Sequence, residues 1–234
     1  MKTIGLIGGM SWESTVPYYQ LINRAVATEL GGLHSARILL YSVDFAEVEV
    51  LQHAGRWDEA GALLAEAAAR LERAGADFLL ICTNTMHKVA DAVQAAVGIP
   101  LLHIADPTAQ AIRRAGHARA GLLGTRFTME QDFYKQRLVR QHGLEVLVPP
   151  EADRAIVHRI IYEELCLGAI RDDSRREYQR IAQALIDAGA QCVILGCTEI
   201  GLLLKDGDIA APLFDTTALH ARAAALMAVG KAQD

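Results

Sequence analysis

The chain contains no apolar run of about 18 residues, so no membrane-crossing helix is expected. Its opening stretch, Met1-Lys2-Thr3-Ile4-Gly5-Leu6-Ile7-Gly8-Gly9, runs straight into a strand-like segment. The longer apolar core and cleavage site of a signal peptide are missing. The cysteines Cys82, Cys166, Cys192 and Cys197 form no C-x-x-C pair, and the expectation is reduced thiols in the cytoplasm. The 8 histidines are scattered without H-x-x-x-H spacing or a Cys/His cluster, which argues against a metal site. Lys and Arg are spread along a chain of net charge −5, which gives no reason to expect nucleic-acid or membrane partners. The dinucleotide pattern G-x-G-x-x-G is absent: the glycines stand at Gly5, Gly8 and Gly9, and Asp44 lies too far on to take a ribose. No Pro/Gly/Ser-rich linker occurs, so any two lobes are expected to pack closely.

What is present is a hydrophobic, strongly patterned sequence. With 52% hydrophobic and 22% charged residues, the 234-residue chain can bury a large core, in one domain or two. Strand-like runs alternate with helical ones, which predicts α/β architecture with parallel sheets. The first four strands read Thr3–Ile7, Arg37–Val43, Phe78–Ile81 and Leu101–Ile104. The second four read Arg119–Leu123, Leu144–Val148, Cys192–Leu195 and Pro212–Phe214. Segments such as Trp57–Ala74 and Arg175–Ala188 have helical apolar spacing.

The two halves are copies of one unit. Leu71 onward matches Leu185 onward without a gap, so Gly75-Ala76 aligns with Gly189-Ala190 and the run Phe78–Ile81 with Cys192–Leu195. Gly5-Leu6-Ile7-Gly8 resembles Gly121-Leu122-Leu123-Gly124, and Asp106-Pro107-Thr108-Ala109 resembles Asp215-Thr216-Thr217-Ala218. The expected fold is two pseudo-symmetric lobes, each a four-stranded mainly parallel sheet flanked by helices, with the active site in the cleft between them. The lobes would comprise residues 1–107 plus 218–234, and residues 108–217. The helix read over Ala218–Lys231 and its counterpart near Ala109 would cross between the lobes.

In this register Thr83, not Cys82, is the counterpart of Cys197. Side chains alternate along a strand, so if Cys197 faces the cleft, Thr83 does too, while Cys82 points into its lobe as a structural thiol. Gly196 permits close approach, and Thr198 and Glu199 bring polar groups to an expected helix start. A thiol there would have its thiolate stabilised by the helix dipole. Thr83-Asn84-Thr85 reads as a helix cap, as an anion cradle, or as both. Gly124-Thr125-Arg126-Phe127-Thr128 supplies hydroxyls at another strand end, in keeping with a small anionic ligand. By spacing alone Gln52 reads as an exposed helix residue. Ile160–Gly168 reads as a short helix ended by Gly168, with Cys166 in the core.

Gly8-Gly9-Met10-Ser11-Trp12-Glu13-Ser14-Thr15, Thr83-Asn84-Thr85-Met86-His87, Gly124-Thr125 with Thr128, and Gly196-Cys197-Thr198-Glu199 together resemble the cofactor-independent aspartate/glutamate racemases over nearly the whole chain. That resemblance implies a homodimer acting on a small acidic amino acid without pyridoxal phosphate or metal. One thiolate would remove the α-proton and a second thiol would reprotonate the opposite face. Here the second cysteine is Cys197, whereas the first position holds Thr83. The expectation is an asymmetric racemase, biased kinetically from L to D, with Cys197 as base and Thr83, or a water it holds, as donor. The resemblance places Met10, Ser11, Gln52, Asn84, Thr85, Thr125, Thr128, Thr198 and Glu199 around the substrate. Glu199 would hold the α-ammonium or tune Cys197. Relatives often carry a lysine near Cys166, and its absence leaves the partner of the distal carboxylate open. The competing expectations are a single-cysteine decarboxylase or isomerase of the same superfamily, and a non-catalytic binder of small acids.

Overall fold

A computed structural model describes residues 1–231. The chain divides into two compact units: Met1–Ile104 with the chain from His220 onward, and Ala105–Leu219. Among the described residues no helix is long and apolar enough to cross a membrane.

The first unit runs β1 (Thr3–Gly8), α1 (Trp12–Leu30), β2 (Arg37–Ser42), α2 (Phe45–His53), α3 (Trp57–Arg73), β3 (Phe78–Ile81), a 3-10 turn (Thr85–Val89) and α4 (Ala90–Ala95). Its sheet is parallel in the order β2-β1-β3. β3 is buried on both faces, and successive residues feed two different cores. Phe78, Leu80 and Cys82 pack with Tyr18, Ile22 and Val26 of α1 and with an alanine stripe, Ala221, Ala224, Ala225 and Ala228. Leu79 and Ile81 face Ala60, Leu64, Ala67, Ala68 and Leu71 of α3. The expected fourth strand, Leu101–Ile104, does not form. Leu101 makes one isolated bridge to Leu79, and the ladder is limited to Leu79 N–H to Pro100 O and Leu102 N–H to Leu79 O, both 2.9 Å. Pro100 cannot donate at one end, and a helix begins at Ala105 on the other, so this sheet has three strands.

The second unit runs α5 (Ala105–Arg114), β4 (Arg119–Gly124), α6 (Arg126–Glu130), α7 (Asp132–His142), β5 (Glu145–Leu147), α8 (Glu151–Glu163), a 3-10 turn (Leu165–Leu167), α9 (Asp172–Asp187), β6 (Cys192–Gly196), α10 (Ile200–Leu203), β7 (Leu213–Asp215) and α11 (Thr216–Val229). α11 begins in this unit and continues into the first, where its alanines join the core just described. The sheet order is β5-β4-β6-β7, all parallel. The segment Ile160–Gly168 is not one helix: α8 stops at Glu163, and the turn after it ends on Gly168 at φ 73°.

The two sheets share one core plan. Ile7 pairs with Ile81, and Leu123 pairs with Leu195 at the equivalent register. In each, the chain leaves the central strand toward one edge and returns on its other side. The switch point therefore lies between β1 and β3, and between β4 and β6. Open α/β sheets place their ligands at the carboxyl ends of such strand pairs.

Candidate active site

Each unit gathers one set of the sequence-predicted residues at its switch point. In the first, the chain turns after β1 through Gly9, whose φ of 91° and 2.3 Å approach of a would-be Cβ to Val43 O admit only glycine. The Met10–Ser11 peptide bond is cis. Gly9 N–H donates to Thr15 Oγ1 at 2.9 Å, and Thr15 Oγ1 donates to Ser11 O at 2.8 Å, which fixes the turn to the first turn of α1. Met10 and Ser11 are buried, and Met10 packs in the same core as Ile81 and Met86. Gln52, expected on an exposed helix face, is 2% exposed. Its Nε2 donates to Met86 Sδ at 3.0 Å, which directs the amide inward beside the residues that follow β3. Thr83, Asn84 and Thr85 are all buried, with Thr83 at 8% exposure. A 3-10 turn, not an α-helix, follows them, and the His87 ring lies 2.8 Å from the Thr83 carbonyl. Cys82 belongs to the α1-facing core, and burial pushes its thiol far up.

In the second unit, β4 and β6 meet at two glycines. A Cβ on Gly124 would stand 2.7 Å from Gly196 O, and one on Gly196 would stand 2.5 Å from Leu122 Cδ1 and 2.9 Å from Leu123 O. Only glycines let the strand ends approach so closely and deliver the following loops side by side. Thr125 caps α6 by accepting from Thr128 N–H at 3.3 Å, and the two threonine hydroxyls are 3.2 Å apart. After Gly196, Cys197 Sγ donates to Glu199 Oε2 at 2.9 Å, and Thr198 Oγ1 donates to the same oxygen at 2.8 Å. All three residues are buried, Cys197 at 6% and Glu199 at 2% exposure.

The expected stabilisation of the Cys197 thiolate by a helix start is not found. α10 has only four residues and begins three positions later. Burial first, then the charge of Glu199, hold the thiol well above its ordinary range. The sulfur is stored as a hydrogen-bond donor. Cys166, which sequence reasoning assigned to the core, is half-buried, and its thiol is also pushed up, by burial and then by adjacent Glu199. One carboxylate thus serves two thiols that are far apart in the sequence. Nearby, Tyr178 is fully buried and donates to Val157 O at 3.0 Å; burial raises its hydroxyl. Neither Cys166 nor Tyr178 carries a local sequence signal for this placement.

Two half-sites of this kind, one hydroxyl-rich and one bearing a thiol against a carboxylate, lie within a span that matches the family model for Asp/Glu/hydantoin racemases over residues 7–224. The chain belongs to this family. It is 58% identical to a candidate Asp/Glu racemase from Yersinia pestis, with a TM-score of 0.90 over 98% of this chain and 100% of that one. An aspartate racemase homologue from Pyrococcus horikoshii is 36% identical, with a TM-score of 0.83 and coverage of 98% and 100%. The broad-specificity amino-acid racemase RacX of Bacillus subtilis is 25% identical over 228 residues, 94% of this chain and 95% of that protein. The matched span contains every candidate residue named above.

Proposed function

We propose that the protein is a cofactor-independent racemase of acidic amino acids, with Cys197 and Thr83 serving opposite faces of the substrate α-carbon. The observation that carries this is the Cys197–Glu199 pair: a buried thiol that donates to a buried carboxylate at a strand end and is held protonated until that carboxylate is engaged elsewhere. On binding, the substrate α-ammonium approaches Glu199 and neutralises its charge. The repulsion that disfavours the thiolate then falls away, and Cys197 gives up its proton. The thiolate takes the α-proton. The resulting carbanion receives a proton from water relayed by the Thr83 hydroxyl on the other face, which balances the proton that Cys197 released on binding; abstraction has restored the Cys197 thiol, so no proton is consumed overall.

Met10 and Ser11 through their backbone, and Asn84, Thr85, Thr125, Thr128 and Thr198, supply donors for the substrate carboxylates, with Gln52 behind them. A threonine hydroxyl is too weak an acid to rest as a base at neutral pH, so the enzyme works best when Cys197 abstracts. We assign this direction as L to D. The equilibrium in achiral solvent stays 1:1, and the bias is one of rate. Relatives named as aspartate and amino-acid racemases support the substrate class. The test is incubation of the protein with L- and D-aspartate and glutamate in heavy water, following the α-proton by NMR and the configuration by chiral chromatography. Exchange coupled to inversion is expected. Loss of carbon dioxide from a malonate-type acid, without exchange of amino acids, would favour a decarboxylase instead.

A further inference from the structure

The proposed mechanism gives no role to a buried histidine bonded to the Thr83 carbonyl. His87 is 3% exposed and sits four residues after Thr83 on the 3-10 turn. Its Nδ1 is 2.8 Å from Thr83 O, and Ile104 N–H donates to its Nε2 at 3.2 Å. A ring nitrogen that accepts a backbone N–H carries no proton, so the proton is on Nδ1 and is donated to the Thr83 carbonyl. His87 is thereby fixed as one neutral tautomer. Both ring nitrogens are engaged with backbone, so this imidazole does not itself pass a proton to substrate.

The anchor it uses is itself held. His220 Nε2 lies 2.9 Å from Leu102 O and its Nδ1 lies 2.9 Å from the Tyr18 hydroxyl. The carbonyl accepts only, so Nε2 donates to it and Nδ1 accepts from Tyr18. The His103 ring lies tilted against His87 at 4.4 Å between centroids, and His220 meets it edge-on at 6.0 Å. The segment Leu102–Ile104 is gripped from both sides by buried rings, and through His87 it holds the peptide that starts the Thr83 turn.

We infer that His87 is a positioning residue: its Nδ1–H fixes the Thr83 carbonyl against Ile104 and so sets where the Thr83 hydroxyl can deliver a proton. The inference rests on the proposed role of Thr83 at the second face. A misplacement of about 1 Å costs on the order of a hundredfold in a positioned transfer. The cost falls on inversion alone, because abstraction belongs to Cys197.

Two substitutions separate the ring's two bonds. His87→Asn keeps a donor at the place of Nδ1 and loses the group that accepts from Ile104. His87→Gln reaches Ile104 and loses the donor to Thr83. With the L-amino acid in heavy water, the measured quantity is the ratio of deuterium exchange with retained configuration to exchange with inversion. In His87→Gln the ratio should rise at least about tenfold while total exchange stays within about threefold, and His87→Asn should restore the ratio toward wild type. An unchanged ratio in the Gln variant, or identical ratios in both variants, sinks the inference while leaving the racemase reading intact. No exchange by the wild-type protein sinks both. The imidazole nitrogen chemical shifts of wild-type His87 give a check that does not depend on variant folding. A protonated Nδ1 is expected, and a protonated Nε2 overturns the assignment.

Discussion

Replacing Glu199 by Gln removes the negative charge that the Cys197 thiol points at. Sγ and Oε2 are 2.9 Å apart, and both residues are buried, so little solvent intervenes. The carboxylate charge is shared by two oxygens, and a separation of about 4 Å between charge centres is appropriate. At an effective dielectric of about 20, two like charges there repel by about 4 kcal/mol. At about 1.4 kcal/mol per tenfold, the thiolate fraction at neutral pH rises by nearly a thousandfold. Thiolates lose nucleophilicity as they become less basic, with a coefficient of about 0.4–0.5, so roughly half of that gain in logarithmic terms survives as rate. The backbone N–H of Glu199, which pulls the thiol the other way, remains in the variant. The expected outcome is alkylation of Cys197 by iodoacetamide about thirtyfold faster in Glu199→Gln than in wild type, read by mass spectrometry of the Cys197 peptide. KM for the amino acid should rise in the same variant, because the ammonium loses its partner. Equal or slower alkylation would refute the idea that Glu199 stores the thiol in its protonated form.

Thr83→Cys places a second thiol at the position proposed to serve the other face, and the D-to-L rate should increase by about a hundredfold, the low end for a positioned acid–base group; an unchanged reverse rate in a chiral assay would count against the asymmetry of the proposed site. Burial raises the thiols of Cys82, Cys192 and Cys197, that of Cys192 to about 11. These groups stay protonated in the native state but ionise in the unfolded chain above about pH 8.5, so their stabilising effect is complete below that pH and lost as pH rises. Urea midpoints should therefore fall between pH 8 and pH 10 by more than in a Cys82→Ala variant, and a flat profile would contradict the burial of these groups. Gly196→Ala forces a methyl against Leu122 and the Leu123 carbonyl and should cost about 1–3 kcal/mol in urea unfolding, against no measurable change if β4 and β6 were farther apart.

The strand-end register was legible because it is written twice. A gapless repeat aligns Thr83 with Cys197, and the paired Ile7–Ile81 and Leu123–Leu195 give that alignment the same place in each sheet. Cys82 could be read inward from strand parity alone, and it lies with Phe78 and Leu80 in one core. Three features were hidden for physical reasons. Gln52 is buried because Met86, from a distant segment, receives its amide, and no helical periodicity encodes that contact. Leu101–Ile104 has strand composition, but strand formation needs a ladder, and only one bridge is made. The high affinity of Cys197 for its proton depends on where the Glu199 carboxylate turns and on the arrival of Cys166 beside it, both tertiary facts. His87 was named only as part of the Thr83-Asn84-Thr85-Met86-His87 motif; its bond to the Thr83 carbonyl and the Ile104 contact that fixes its tautomer are tertiary facts.

In the proposed reaction Cys197 is the group that removes the α-proton. The most direct measurement compares wild type and Cys197→Ala with L-aspartate and L-glutamate in heavy water, following loss of the α-proton signal. Exchange with inversion is expected for the wild type on at least one of the two substrates, and no exchange above background for Cys197→Ala, with the variant's thermal unfolding showing that it is folded. Exchange at the wild-type rate in folded Cys197→Ala would contradict that role.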